Sequence, residues 1–133
     1  DKSWELAAKS TFDIKKIIHG FDEFEKIKLH HKYLNNLNYY KTIKILNNEK
    51  FIDGKFFLMS ESKRFTPPIS EIYYEFYDNK KELIEYLKTK SENLQCIVSN
   101  SIYENHVNFG DTQNPKLSDY ADNIDTIKFL LTN

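Results

Sequence analysis

Between Thr11 and Ile27 the apolar residues Phe12, Ile14, Ile17, Ile18, Phe21 and Phe24 return at helix-like intervals, with Gly20 among them. That pattern predicts two short helices, or one helix broken at the glycine. From Leu29 to Leu46 the apolar positions Leu29, Tyr33, Leu37, Tyr40, Ile43 and Leu46 are spaced by 4, 4, 3, 3 and 3, and Lys and Asn fill the gaps. A long amphipathic helix follows, over at least the second half of the segment. The Asn-rich run 35–38 pulls the other way, because Asn competes for backbone hydrogen bonds and favours turns and caps.

The pattern then changes period. Lys50 to Asp53, Gly54, and Lys55 to Met59 read as a hairpin of two short strands around Asp53-Gly54. Thr66-Pro67-Pro68 stops any regular element, since the prolines lack donors and hold the preceding residue extended. From Ile69 to Tyr77, Ile72, Tyr74 and Phe76 alternate with Glu71, Tyr73 and Glu75, the period of a half-buried strand. Asp78-Asn79 caps a helix bearing Leu83, Ile84 and Leu87, and Leu94 to Ser99 is a short apolar strand. Residues 69–99 thus predict a β-α-β unit, and the fold class is α/β. Beyond it come a strand within Tyr103 to Phe109, a loop from Gly110 to Pro115, and a last amphipathic helix with Ile124, Ile127, Phe129 and Leu130.

Composition narrows the function classes. The chain has 133 residues, 40% hydrophobic and 29% charged, the balance of one globular domain or a large piece of one. Nineteen basic residues against twenty acidic ones leave a net charge of −1, so no overall field recruits nucleic acid or anionic lipid. Gly20, Gly54 and Gly110 are the only glycines and stand far apart, which excludes a glycine-rich phosphate cradle within the chain. A single cysteine, Cys96, permits no internal disulfide and no cysteine-based metal site, and a reducing cytoplasm is the expected compartment. No apolar stretch approaches a bilayer span, and DKSWELAAKS lacks a signal-peptide layout. The missing initiator Met suggests that residue 1 is not the natural start.

One stretch carries a resemblance. TPPISEIYYEFYDNKKELIEYLKTKSENLQCIVSN, followed by VNFGDTQNPKLSDYADNIDTIKFLLTN, resembles the C-terminal part of the LuxC-type acyl-CoA reductases, a branch of the aldehyde dehydrogenase superfamily. There a Gly-Pro-Val step leads into a strand, an acidic turn, a helix, another strand, and later a Phe-Gly-bearing loop before a terminal segment. Pro68-Ile69, Tyr77-Asp78, Leu94 to Val98, and Asn108-Phe109-Gly110 stand in those places. His31-Lys32-Tyr33 through Asn35-Asn36 and Tyr39, and Asp119-Tyr120-Ala121-Asp122 with Asp125 and Thr126, are similar to the same family. The likeness covers roughly residues 28–133, and residues 1–27 carry nothing diagnostic.

The resemblance implies an aldehyde-dehydrogenase-like catalytic-domain portion, one α/β domain over residues 1–133, from a cytoplasmic reductase that takes a fatty acyl thioester to the aldehyde. Its cofactor would be NADPH, its substrate an acyl-CoA, and its assembly a homo-oligomer. In the family a cysteine thiolate attacks the acyl carbon, and hydride then reduces the resulting thioester. That nucleophile and the nucleotide-binding half lie upstream of the matched region, so the chain alone is expected to be inactive. Many aldehyde dehydrogenases place a Glu before their Phe-Gly-Pro-Val stretch, on the cofactor ribose. Here Arg64 holds that place, with Glu61 three residues earlier. The resemblance therefore offers Glu61 and Arg64 for cofactor binding, Arg64 toward a phosphate of NADPH or CoA, and Phe109-Gly110 for a substrate tunnel.

The residues have simpler readings too. Cys96 in an apolar strand behaves as a small buried hydrophobe, and it has no adjacent His, Lys or Arg to favour its thiolate. His30 and His31 point about 100° apart on a helix and cannot form an i,i+4 metal pair, which leaves a solvated or capping role. Asp119, Asp122 and Asp125 lack the spacing of a calcium loop and read as a helix cap and solvated face. Arg64 is a surface arginine unless a phosphate claims it. The aromatic strand carrying Tyr73, Tyr74, Phe76 and Tyr77 contains Glu71 and Glu75 rather than basic residues, which argues against a nucleic-acid platform. The alternative function is a small non-catalytic interaction or oligomerisation module that pairs with a partner through that strand.

Overall fold

The computed structural model describes residues 5–100, 103, 106–116, 119–120 and 125–132. Among these the chain forms two compact units, Asp1–Asp78 and Asn79–Asn133. The architecture is mixed α/β, with a four-stranded mixed sheet and a separate two-stranded parallel pair.

The first unit begins with strand β1 (Glu5–Lys9), continues through a 3-10 helix (Ile14–Leu29) and helix α1 (His31–Leu46), and ends in strands β2 (Ile52–Asp53), β3 (Leu58–Glu61) and β4 (Glu71–Tyr77). The sheet order is β1-β4-β3-β2; β4 lies parallel to both β1 and β3, and β2 is antiparallel to β3. Asp13 opens the 3-10 helix by accepting the Lys15 N–H on its carboxylate at 3.1 Å. Three residues per turn bring Ile14 beneath Ile17 and Ile18 beneath Phe21. Ile14 is buried in the cluster of Ala8, Phe56, Phe57 and Met59, and Ile17, Ile18 and Phe21 pack against it. Phe21 and Phe57 meet edge to face with centroids 5.0 Å apart.

Gly20 does not break this helix. The break comes at His30, which turns extended (φ −85°, ψ 103°) so that its Nδ1 accepts the Tyr33 N–H at 3.3 Å and caps α1. The capping role expected of a histidine here is thus filled by His30. α1 runs straight through the Asn-rich stretch, with the Asn36 amide donating to the Lys32 carbonyl at 2.8 Å. Its inward stripe departs from the predicted one at the C-terminal end. Leu37 and Lys44 are buried, while Ile43, Ile45 and Leu46 are exposed.

The hairpin forms, with a wider turn than Asp53-Gly54 alone. Ile52 pairs with Met59 and Asp53 with Leu58, and the Gly54 N–H donates to the Phe57 carbonyl at 2.9 Å. The positive φ falls on Lys55 (72°), whose N–H is held by the Asp53 carboxylate at 3.0 Å. Gly54 serves a different need: a Cβ there would sit 2.5 Å from the Phe57 ring.

The predicted β-α-β unit over 69–99 is corrected by the pairing. β4, helix α2 (Lys80–Thr89) and strand β5 (Ile97–Val98) follow in the expected order, but β5 pairs with β6 (His106–Val107) in the second sheet. β4 is instead flanked by β1 along Tyr73–Tyr77 and by β3 along Glu71–Tyr74, the neighbours it takes in place of β5. In the second unit Asn79 caps α2, its side chain accepting the Lys81 N–H at 2.9 Å and donating to Glu82 at 3.1 Å. Leu83, Ile84 and Leu87 are half-buried as their spacing predicts. Helix α3 (Thr126–Thr132) starts at Asp125, whose carboxylate accepts the Lys128 N–H at 2.9 Å; its residues are exposed throughout. Ala121, Asp122 and Ile124, and residues 104–105 of the predicted strand, lie outside the described residues.

Candidate functional site

Strand alternation decides what the first unit can offer. The sequence suggests that Ile72, Tyr74 and Phe76 form the buried face of β4. Ile72 and Tyr74 do pack on the core, but the opposite face is buried as well. Glu71 and Tyr73 are 6% and 3% exposed, while Phe76 is 39% exposed. Register sets Leu58 beside Glu71 and Ser60 beside Tyr73, so Ser60, Glu71, Tyr73 and Glu75 share one face. Burying a carboxylate this deeply demands a countercharge. It comes from α1: Lys44 Nζ lies 2.8 Å from Glu71 Oε1 and 3.2 Å from Glu49 Oε2. A second ion pair, Lys41 with Asp53, ties α1 to the same sheet.

Burial by itself would draw the Lys44 ammonium's pKa down, but the hydrogen bonds and charges of Glu71 and Glu49 outweigh it and move the value upward. The Asn47 amide, and after it Lys44, hold the Glu49 carboxyl below the usual carboxylate range. Burial, followed by the charge of Glu71, pushes the Tyr73 phenol up. Arg64 spreads over the Tyr73 ring with its guanidinium carbon 5.4 Å from the centroid, a cation–π contact.

Beyond the end of α1 this sheet face opens into a groove of about 570 Å³. Ser60 and Glu75 belong to its lining, together with Lys44, and Glu61 and Arg64 stand on it too. A smaller hollow of about 300 Å³ lies beside it and shares Lys44, Glu49 and Arg64. The two residues singled out for cofactor binding, Glu61 and Arg64, are therefore brought to one groove. Sequence reasoning missed Lys44, Ser60 and Glu75. Lys44 falls outside the apolar stripe of its helix, and Ser60 and Glu75 gain meaning only from sheet register.

The other candidates lie in the second unit. Phe109 is 67% exposed, and Gly110 adopts φ 92°, the positive value its glycine permits, in a turn where the Asp111 N–H donates to the Asn108 carbonyl. Cys96 is exposed, not buried, because the strand that was to enclose it shrinks to Ile97–Val98 and leaves it outside. Among the described residues no group of three His, Cys, Asp or Glu side chains could hold a metal ion, and no helix is long and apolar enough to cross a membrane.

Compared with models of known protein families, with curated proteins and with solved structures, the chain finds no match in any of the three.

Proposed function

We propose that the chain is the C-terminal part of an NADPH-dependent reductase that converts a fatty acyl thioester to its aldehyde. The observation that carries the reading is the meeting of Glu61 and Arg64 on one polar groove, since these are the positions that the aldehyde dehydrogenase resemblance offers for the cofactor. The residues fit such a group chemically. Arg64 presents a planar guanidinium suited to a phosphate, and the exposed Glu61 carboxylate is an acceptor for a hydroxyl. NADPH, when bound, supplies the hydride; the part of these residues is to hold and orient charge. No nucleophile is assigned to this chain, and Cys96 is not offered as one.

The test is made on the complete reading frame. Its purified product, given a long-chain acyl-CoA and NADPH, should consume NADPH and release aldehyde and free CoA in equal amounts. Arg64→Ala should raise KM for NADPH or acyl-CoA about tenfold with little change in kcat, as loss of one charged contact does. A reading frame with no nucleophilic cysteine upstream of Asp1, or a product that leaves acyl-CoA untouched, overturns the reading.

The alternative module is constrained by the sheet. β4 is paired with β1 over Tyr73–Tyr77 and with β3 over Glu71–Tyr74, so a partner strand would have only the short edge at Glu75–Tyr77 beside β3 to pair with.

A further inference from the structure

We draw no further inference here: the strongest candidate, the exposed apolar face that Tyr39, Ile43 and Leu46 form along α1, carries nothing because nothing in the structure shows what covers it.

Discussion

Lys44 of α1 reaches into the sheet and places its ammonium 2.8 Å from the carboxylate of Glu71, whose side chain is 1% exposed. The pair joins helix to sheet where an apolar contact would ordinarily do so. Desolvating two charges offsets much of their attraction, so the pair adds little net stability, yet neither member can be removed alone without penalty.

Lys44→Met is therefore expected to destabilise the first unit by about 3–5 kcal/mol, since Glu71 is left buried without its countercharge. The double variant Lys44→Met with Glu71→Leu should recover most or all of that loss. Urea unfolding followed by circular dichroism measures both. A double variant whose loss equals the sum of those of Lys44→Met and Glu71→Leu alone would show that the two side chains are not coupled.

The same cluster sets the pH response. The Lys44 pKa is raised in the fold, so its contribution is fully present below the unfolded value of about 10.4 and fades as pH climbs through the higher folded value. Glu49 is lowered, so its contribution holds above the unfolded value of about 4.3 and is lost as pH falls through the folded one. Stability of the wild type minus that of Glu49→Gln should shrink on the acid side and stay level near neutrality. A difference that grows on acidification would contradict the assignment.

Gly54 faces the ring of Phe57, which would stand 2.5–2.7 Å from an added Cβ. Gly54→Ala should cost about 1–3 kcal/mol through overpacking. Adding Phe57→Leu, which withdraws the ring, should give a double variant less unstable than the sum of its parts. Thermal unfolding of the three variants checks this, and simple additivity would mean the contact is not made.

Cys96 is exposed and should react with an aromatic disulfide reagent in the native protein at nearly the rate seen after unfolding in urea. Strong native-state protection would restore the buried strand position that its apolar neighbours suggest.

Asn79→Ala should cost about 1 kcal/mol by leaving the start of α2 uncapped, while Asn79→Asp, which keeps the cap but replaces the donor to Glu82 with a second carboxylate, should recover only part of that. Far-ultraviolet circular dichroism during thermal unfolding reads the difference.

Local signals in the chain were legible where they depend on neighbours in sequence. Asn79 before Lys80, Asp125 before Thr126 and the histidine at 30 all cap as their chemistry predicts, because a cap is completed within three residues. The alternation over Glu71 to Tyr77 revealed a strand for the same reason. Gly20 misled because a glycine is tolerated inside a helix, whereas His30 ended it by accepting a backbone proton from the next turn.

What the amino-acid order determined by itself was the succession of helices and strands from Ile14 onward, though not strand β1, together with the near-neutral charge and the absence of a glycine-rich phosphate loop. The tertiary structure alone decided which strands became neighbours, and with that the outcome for residues 69–99. Order along the chain says that a helix separates two strands, but hydrogen-bonding edges are filled in space. With β1 and β3 flanking β4, β5 pairs with β6 instead. The same pairing placed Ser60 and Glu75 on one face and turned Lys44 inward to meet Glu71, creating a polar groove that no stretch of sequence contains.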